Sequence, residues 1–366
     1  MKITAYKPDI GQEYSNPFKD NNIYPFNRIG RVACDKNTAE IKFWLNEQNS
    51  NLDSDGHPIN WENLDIYTYI PKFYAKREWV GDTLKDTILS EIPEEINRAG
   101  YEIHPAFIRP DGSVRDYILI GCFKGVEIGG QLRSVPNGQK PLVSQTIANF
   151  MSKARQGRSN NFSVENPQAL TAMQFLYKVA FGTLNARSAI GNGWTGKSES
   201  APVGTTMSLG NRSGYTGVNG NQISVFGVED WYGNIWSFVT GIYAKDDGYR
   251  ITNDPSKFGG SSDDYDLVSI PVLMGTEDNK GVSGYVKKIS KIEGTHKYWN
   301  IPSELGGGTT TYYCDYFWSH KKTQENICLF GALWADGALA GAFCLRLYYV
   351  ASLSWSGVGA RLCYLP

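Results

Sequence analysis

The residues of this chain best equipped for chemistry are six cysteines, four histidines and a few acidic clusters, and their spacing argues against most of it. Cys34, Cys122, Cys314, Cys328, Cys344 and Cys363 include no Cys-x-x-Cys pair, and six cysteines are too few to staple a chain of 366 residues. They read as buried free thiols, with a bridge among the last four left open. His57, His104, His296 and His320 show no His-x-x-x-His spacing, so a zinc site or an iron triad has little to draw on. The acidic run Ser261-Ser262-Asp263-Asp264-Tyr265-Asp266 has the ligand types for an ion but reads as a solvated loop. His104, directly before Pro105, reads as a structural residue at a strand edge. The expectation is no catalytic residue, no metal and no cofactor.

Binding chemistry is better represented. In Phe343-Cys344-Leu345-Arg346-Leu347-Tyr348 the odd positions are large and apolar, which turns Phe343, Leu345 and Leu347 to a core and Cys344, Arg346 and Tyr348 to the opposite face. Val358-Gly359-Ala360-Arg361-Leu362-Cys363-Tyr364 alternates again as a closing strand. The connection between them, Tyr349-Val350-Ala351-Ser352-Leu353-Ser354-Trp355-Ser356-Gly357, mixes Ser and Gly with Leu and Trp. Such a loop either folds onto the core or offers exposed anchors of the kind that dominate binding hot spots, and the pattern alone leaves both open for Trp355.

The elements that must position these residues are mostly strands. Residues 31–34, 39–45, 66–70, 102–108 and 116–121 carry strand-like patterns, with a turn at 35–38 and a polar loop at 49–57. Two helices are expected: Ser144 to Arg155, and Asn166 to Leu184, where Asn166 caps, Pro167 fits the first turn and Leu170, Met173, Leu176, Tyr177 and Phe181 share a face. Residues 189–221 are too long for an ordinary connection, so they are expected to hold structure of their own or to touch a partner. The 39 glycines, 22 tyrosines and 10 tryptophans suit short strands and turns. A formal charge of -1 supplies no basic field for nucleic acid, and no run approaches a membrane span. The opening octet, residues 1–8, has no apolar signal core, which suggests a protein made in the cytoplasm that leaves only inside a particle.

Several motifs, in order, resemble those of phage and prophage tail proteins. Gly331-Ala332-Leu333-Trp334-Ala335-Asp336-Gly337-Ala338-Leu339-Ala340-Gly341-Ala342-Phe343 resembles their "G-G-x-W-x-x-G-x-x-A-G-x-F" stretch, with Ala332 in place of the second glycine. Val358-Gly359-Ala360-Arg361-Leu362 resembles their last strand. Val228-Glu229-Asp230-Trp231-Tyr232-Gly233-Asn234-Ile235-Trp236 is similar to the "x-E-D-x-x-G-N-x-W" signature of formylglycine-generating-enzyme-like folds, a branch of the C-type-lectin superfold. Residues 169–185 resemble a helix ending "F-G-T-x-N", while Tyr69-Ile70-Pro71-Lys72-Phe73-Tyr74 and His104-Pro105-Ala106-Phe107 resemble the N-terminal half. The likeness runs from about Arg28 to Pro366.

This resemblance implies an α+β, C-type-lectin-like fold, made of short twisted β-sheets with two helices, in residues 101–366. A β-rich attachment or oligomerisation region in residues 1–100 would precede it, and the ligand face would lie in 331–364. It further implies a receptor-binding protein of a phage tail tip or fibre, carried in the virion as a homotrimer beside other tail proteins and recognising a host-cell surface receptor, protein or glycan. Relatives of the major-tropism-determinant type are diversified by retroelements, and their spacing places Leu333, Ala335, Leu339, Arg346, Tyr348, Tyr349, Leu353 and Trp355 in the variable, ligand-facing set. The alternatives are a bacterial or prophage surface-display protein of the same fold, or a formylglycine-generating-type oxidoreductase. Against the latter, Ser237 and Phe238 stand where the enzymes commonly carry Glu and Trp. A calcium-dependent lectin would need a Glu-Pro-Asn motif, which this sequence lacks.

Overall fold

The computed structural model describes residues 3–5, 24–81, 83–89, 100–215, 221–245, 247–273, 281–319 and 324–366. His320 and all but Ile3–Ala5 of the opening octet lie outside these residues, as do positions 216–220 of the long Gly/Ser-rich segment. The described chain is mostly β. α-Helix is confined among the described residues to α1 (Ile147–Arg155), α2 (Pro167–Phe181) and the single turn Ala186–Ala189, with short 3-10 turns elsewhere, so the architecture is β-rich with the two longer helices expected.

Both longer helices start where their caps are. Thr146 accepts the Asn149 N–H ahead of α1, and Asn166 accepts the Ala169 N–H ahead of α2, whose Pro167 has no N–H to leave unanswered. Gly182, at φ 63°, ends α2 in the left-handed conformation that glycine adopts without strain. The one-faced reading of α2 falls short, because every residue from Pro167 to Ala180 is buried. Its polar side chains survive there through specific partners. Gln174 donates to the Ala342 carbonyl at 2.9 Å, Gln168 donates to the Asn253 carbonyl, and Lys178 meets Asp86.

A six-stranded antiparallel sheet runs Phe162–Val164, Arg361–Tyr364, Tyr117–Lys124, Leu64–Pro71, Gly30–Asp35, Ile41–Trp44. It joins three strands from the first hundred residues, through Tyr117–Lys124, to the final strand of the chain. A boundary at residue 100 would therefore cut through a continuous sheet. A smaller sheet (Ile3–Ala5, Thr83–Leu89, Tyr74–Val80, Glu102–Ile103) is pinned to α2 by a buried charge cluster. There Asp86 accepts from Arg77 Nε and Nη2, both at 2.8 Å, and pairs with Lys178. Burial alone would raise the Asp86 pKa, but Arg77 and Lys178 hold it down to about 2. Residues 102–108 are not the single strand expected. The strand stops at Ile103, and His104 Nδ1 accepts the Ala106 N–H to cap the short turn Pro105–Phe107.

A larger sheet carries the C-terminal residues. Its order is Asp266–Val268, Gly248–Ile251, Trp236–Lys245, Asn326–Phe330, Leu345–Leu347, Tyr316–Ser319, Val282–Ile289, Pro302–Leu305, with Val358–Gly359 added parallel to Trp236. No helix among the described residues is long and apolar enough to cross a membrane.

Candidate ligand-binding face

Arg346 occupies the middle of the short strand Leu345–Leu347, whose flanking leucines are buried while Arg346 stays half-buried. The expected alternation holds over these three residues and fails before them. Phe343 and Cys344 belong to the preceding turn, and Cys344 is fully buried instead of facing outward. In register with Arg346 on the neighbouring strand lies Trp318. Around the guanidinium stand four rings: Tyr349 at 4.7 Å from the ring centre, Tyr348 at 5.4 Å, Trp318 at 5.5 Å and Trp236 at 5.8 Å. Its Nη2 donates to the Tyr349 hydroxyl at 2.9 Å, while its buried Nε has no acceptor.

The rings continue as a ridge. Trp318 packs on Tyr316 at 4.4 Å, and Tyr316 meets Tyr285 edge-on at 5.0 Å; all three are half-buried. Tyr348 and Tyr349 stand edge-on at 5.0 Å. Reading the sequence for this face missed Tyr285, Tyr316, Trp318 and Trp236. The alternation Tyr316-Phe317-Trp318-Ser319, half-buried against buried, was the signal available for two of them.

Of the other expected ligand-facing positions, Ala335 is exposed, and Leu339, Leu353 and Trp355 are half-buried. Trp355 takes both of the courses left open for it. Its ring lies back over its own turn, where a Cβ on Gly357 would come within 3.0 Å of it, yet the residue stays half-buried. Leu333 departs from the expectation: at 5% exposure it belongs to the core. Its backbone N–H donates to Asp336 Oδ2 at 2.9 Å, which closes a turn that leaves the following residues outermost.

The loop 331–340 is braced from below by the Glu-Asp-x-x-Gly-Asn segment. Gly233 donates to the Gly331 carbonyl, and Trp334 donates to the Asn234 carbonyl, both at 2.9 Å. Asp230 and Asn234, at φ 45° and 66°, take the left-handed turn conformations that short polar side chains tolerate. Asn234 donates to Asp230 Oδ2 and accepts the Ala201 N–H, while Glu229 accepts from Gly204 N, Thr206 N and Thr206 Oγ1. The motif thus fastens the long 189–221 segment to the sheet. Burial and the neighbouring Asp230 charge push the Glu229 carboxyl up to about 7. Arg361 is fully buried and donates to the carbonyls of Gly121, Glu229 and Asp230.

Groups with catalytic potential are likewise committed or enclosed. All six cysteines are free and buried, and burial pushes the Cys344 and Cys363 thiols well above their ordinary range, away from the reactive thiolate. Ser237 accepts from Lys124 Nζ at 2.6 Å, and burial lowers that lysine to about 7, but both residues are fully enclosed. In the acidic run, Asp263 pairs with Lys245 at 3.2 Å and Asp266 with His296 at 3.1 Å. Asp53, Asp55 and His57 bring ligand-type atoms within 4.8 Å of one another, where Asp53 Oδ1 accepts the N–H groups of Asp55 and His57 in a self-capped turn.

No protein family and no curated protein matches the chain. Among solved structures it is similar to Treponema denticola variable protein 1, at 10% identity and a TM-score of 0.34, over 84% of this chain and 98% of that one. It is also similar to a Major Tropism Determinant P3c variant, at 14% identity and a TM-score of 0.28, over 92% of this chain and 71% of that one. Similarity at these scores does not establish a shared fold.

Proposed function

We propose that this chain is the receptor-binding protein of a phage tail tip or fibre, and that it recognises a host-cell surface ligand through its C-terminal face. The observation that carries this reading is the ridge around Arg346, a half-buried guanidinium among the half-buried rings of Trp318, Tyr348 and Tyr349 over the fully buried Trp236, on a strand whose other side is core. Arg, Tyr and Trp are the residue types that concentrate binding energy, and here Arg346 and Trp318 stand on paired strands while Tyr348, Tyr349 and Trp355 flank them on the following loop. The ligand-facing set is then Ala335, Leu339, Arg346, Tyr348, Tyr349, Leu353 and Trp355, with Trp318 added and Leu333 assigned to the scaffold. The sequence motifs quoted above support the C-type-lectin-like fold, the virion location and diversification of this face. In this reading the protein is a homotrimer, and several copies on one particle raise a modest affinity through avidity.

Replacing Tyr348, Tyr349 and Trp355 together by Ala tests the reading. Adsorption of the purified chain to host cells is expected to fall by about 100-fold or more, as loss of two or more hot-spot contacts requires, with the melting temperature nearly unchanged. Adsorption that survives the triple substitution overturns it.

A further inference from the structure

Arg346 lacks an anionic partner. Among the described residues no carboxylate lies within ion-pair distance of it. Asp336 is close enough to feel its charge, but that carboxylate already accepts the Leu333 N–H. The rings around the guanidinium satisfy its faces and not its edge, where five N–H donors call for oxygen acceptors. Among the described residues only the Tyr349 hydroxyl answers, and Nε has no acceptor there. A planar fork of this kind is complementary to a carboxylate, which it binds through two parallel hydrogen bonds.

The surroundings narrow the ligand further. The ridge Tyr285–Tyr316–Trp318–Arg346–Tyr349 joins flat ring faces to phenolic hydroxyls, and Tyr316 donates to the Ser283 hydroxyl at 3.2 Å. Ser352, Ser354 and Ser356 are exposed on the adjoining loop. Rings and hydroxyls thus alternate along this part of the face. They suit a pyranose, whose C–H face stacks on a ring while its edge exchanges hydrogen bonds.

We propose that the ligand of this face is an acidic glycan, with the carboxylate of a sugar residue seated on Arg346 and its ring stacked on the neighbouring aromatics. This rests on the receptor-binding reading and specifies the class of receptor.

The test uses the full chain and three probes, oligogalacturonate, oligoglucuronate and oligosialate, each beside its neutral methyl ester. Tryptophan fluorescence reports binding, since Trp318 lies in the ridge. At least one acid is expected to bind about tenfold or more tightly than its ester. Arg346→Gln should erase that preference, whereas Arg346→Lys, which keeps the charge and loses the fork, should retain part of it. Where the Gln variant fails to melt cooperatively, the Lys variant decides, with a fall of at least about threefold in the acid-to-ester ratio expected. Equal binding of acid and ester across the panel, no binding of any probe, or an undiminished ratio in the variants overturns the inference. If the triple aromatic variant nevertheless loses adsorption, receptor recognition stands and the receptor is a protein or a neutral glycan. If adsorption survives that variant, the receptor-binding reading itself fails.

Discussion

Residues 228–236 and residues 345–357 are the two stretches richest in polar and aromatic chemistry, and they are used in opposite ways. In the first, every residue is buried, and the Glu229 carboxylate and Asn234 amide are matched to specific backbone groups. In the second, buried Leu345 and Leu347 alternate with half-buried Arg346 and Tyr348, and one guanidinium nitrogen goes unanswered. Full burial with the carboxylate and amide spent on backbone groups marks scaffold, even though Asp230 Oδ1 and the Trp231 indole N–H have no partner among the described residues. Half-buried rings around a half-buried guanidinium mark a surface with contact area left to offer. The two stretches touch where the Trp236 N–H donates to the Gly357 carbonyl at 2.9 Å, and the Gly233–Gly331 and Trp334–Asn234 hydrogen bonds let the scaffold motif also hold the loop beside the face.

Substitutions separate the two regions by size of effect. Glu229→Ala strands the N–H groups of Gly204 and Thr206 in a dry interior, and a loss of more than about 3 kcal/mol in unfolding free energy is expected from urea titration. Leu333→Ala, in the core beneath the same loop, is expected to cost ~2–4 kcal/mol, whereas the same change at half-buried Leu339 costs less than half as much. Equal costs would return Leu333 to the ligand-facing set. Ala332 sits at φ 75°, a left-handed conformation that burdens any residue with a Cβ. Ala332→Gly should therefore stabilise the chain by ~1 kcal/mol despite the extra freedom it gives the unfolded state, read as a rise in melting temperature.

A pH series sharpens the contrast from beneath the face. Asp315 is buried against Gly341, where an added Cβ would fall 1.5 Å from Oδ1, and burial pushes its carboxyl up to about 7. The folded chain then keeps a proton that the unfolded chain releases near pH ~4, so stability falls as pH rises from there to about 7. Asp315→Asn removes that share of the slope, and an unchanged slope in melts across this range would contradict the assignment. The smallest effect on stability belongs to the face. Tyr348→Ala and Trp355→Ala are each expected to cost less than about 1.5 kcal/mol, since each ring is already partly in water.

Local signals carried much of this organisation. The start of α2 was readable because Asn166 and Pro167 act within one turn of the helix end, whereas its stop at Phe181, set by left-handed Gly182, falls short of the expected Leu184. The outward placement of Arg346 and Tyr348 was readable because a strand alternates. What depended on distant chain was not readable. The burial of Arg361 requires carbonyls from residues 121, 229 and 230 to converge on it, and Cys344 precedes its strand, which begins at Leu345 instead of Phe343. Trp318 joins Arg346 through a parallel pairing of residues 28 apart in the chain, which no short window of sequence reveals.

Hydroxyl-radical footprinting of the chain, free and bound to host-cell envelopes, tests the central claim most directly. Trp318, Tyr348, Tyr349 and Trp355 are expected to lose most of their labelling on binding, while Trp44, 41% exposed at the edge of the six-stranded sheet, keeps its own. Protection of Trp44 with undiminished labelling of the Arg346 ridge would place the receptor elsewhere on the molecule.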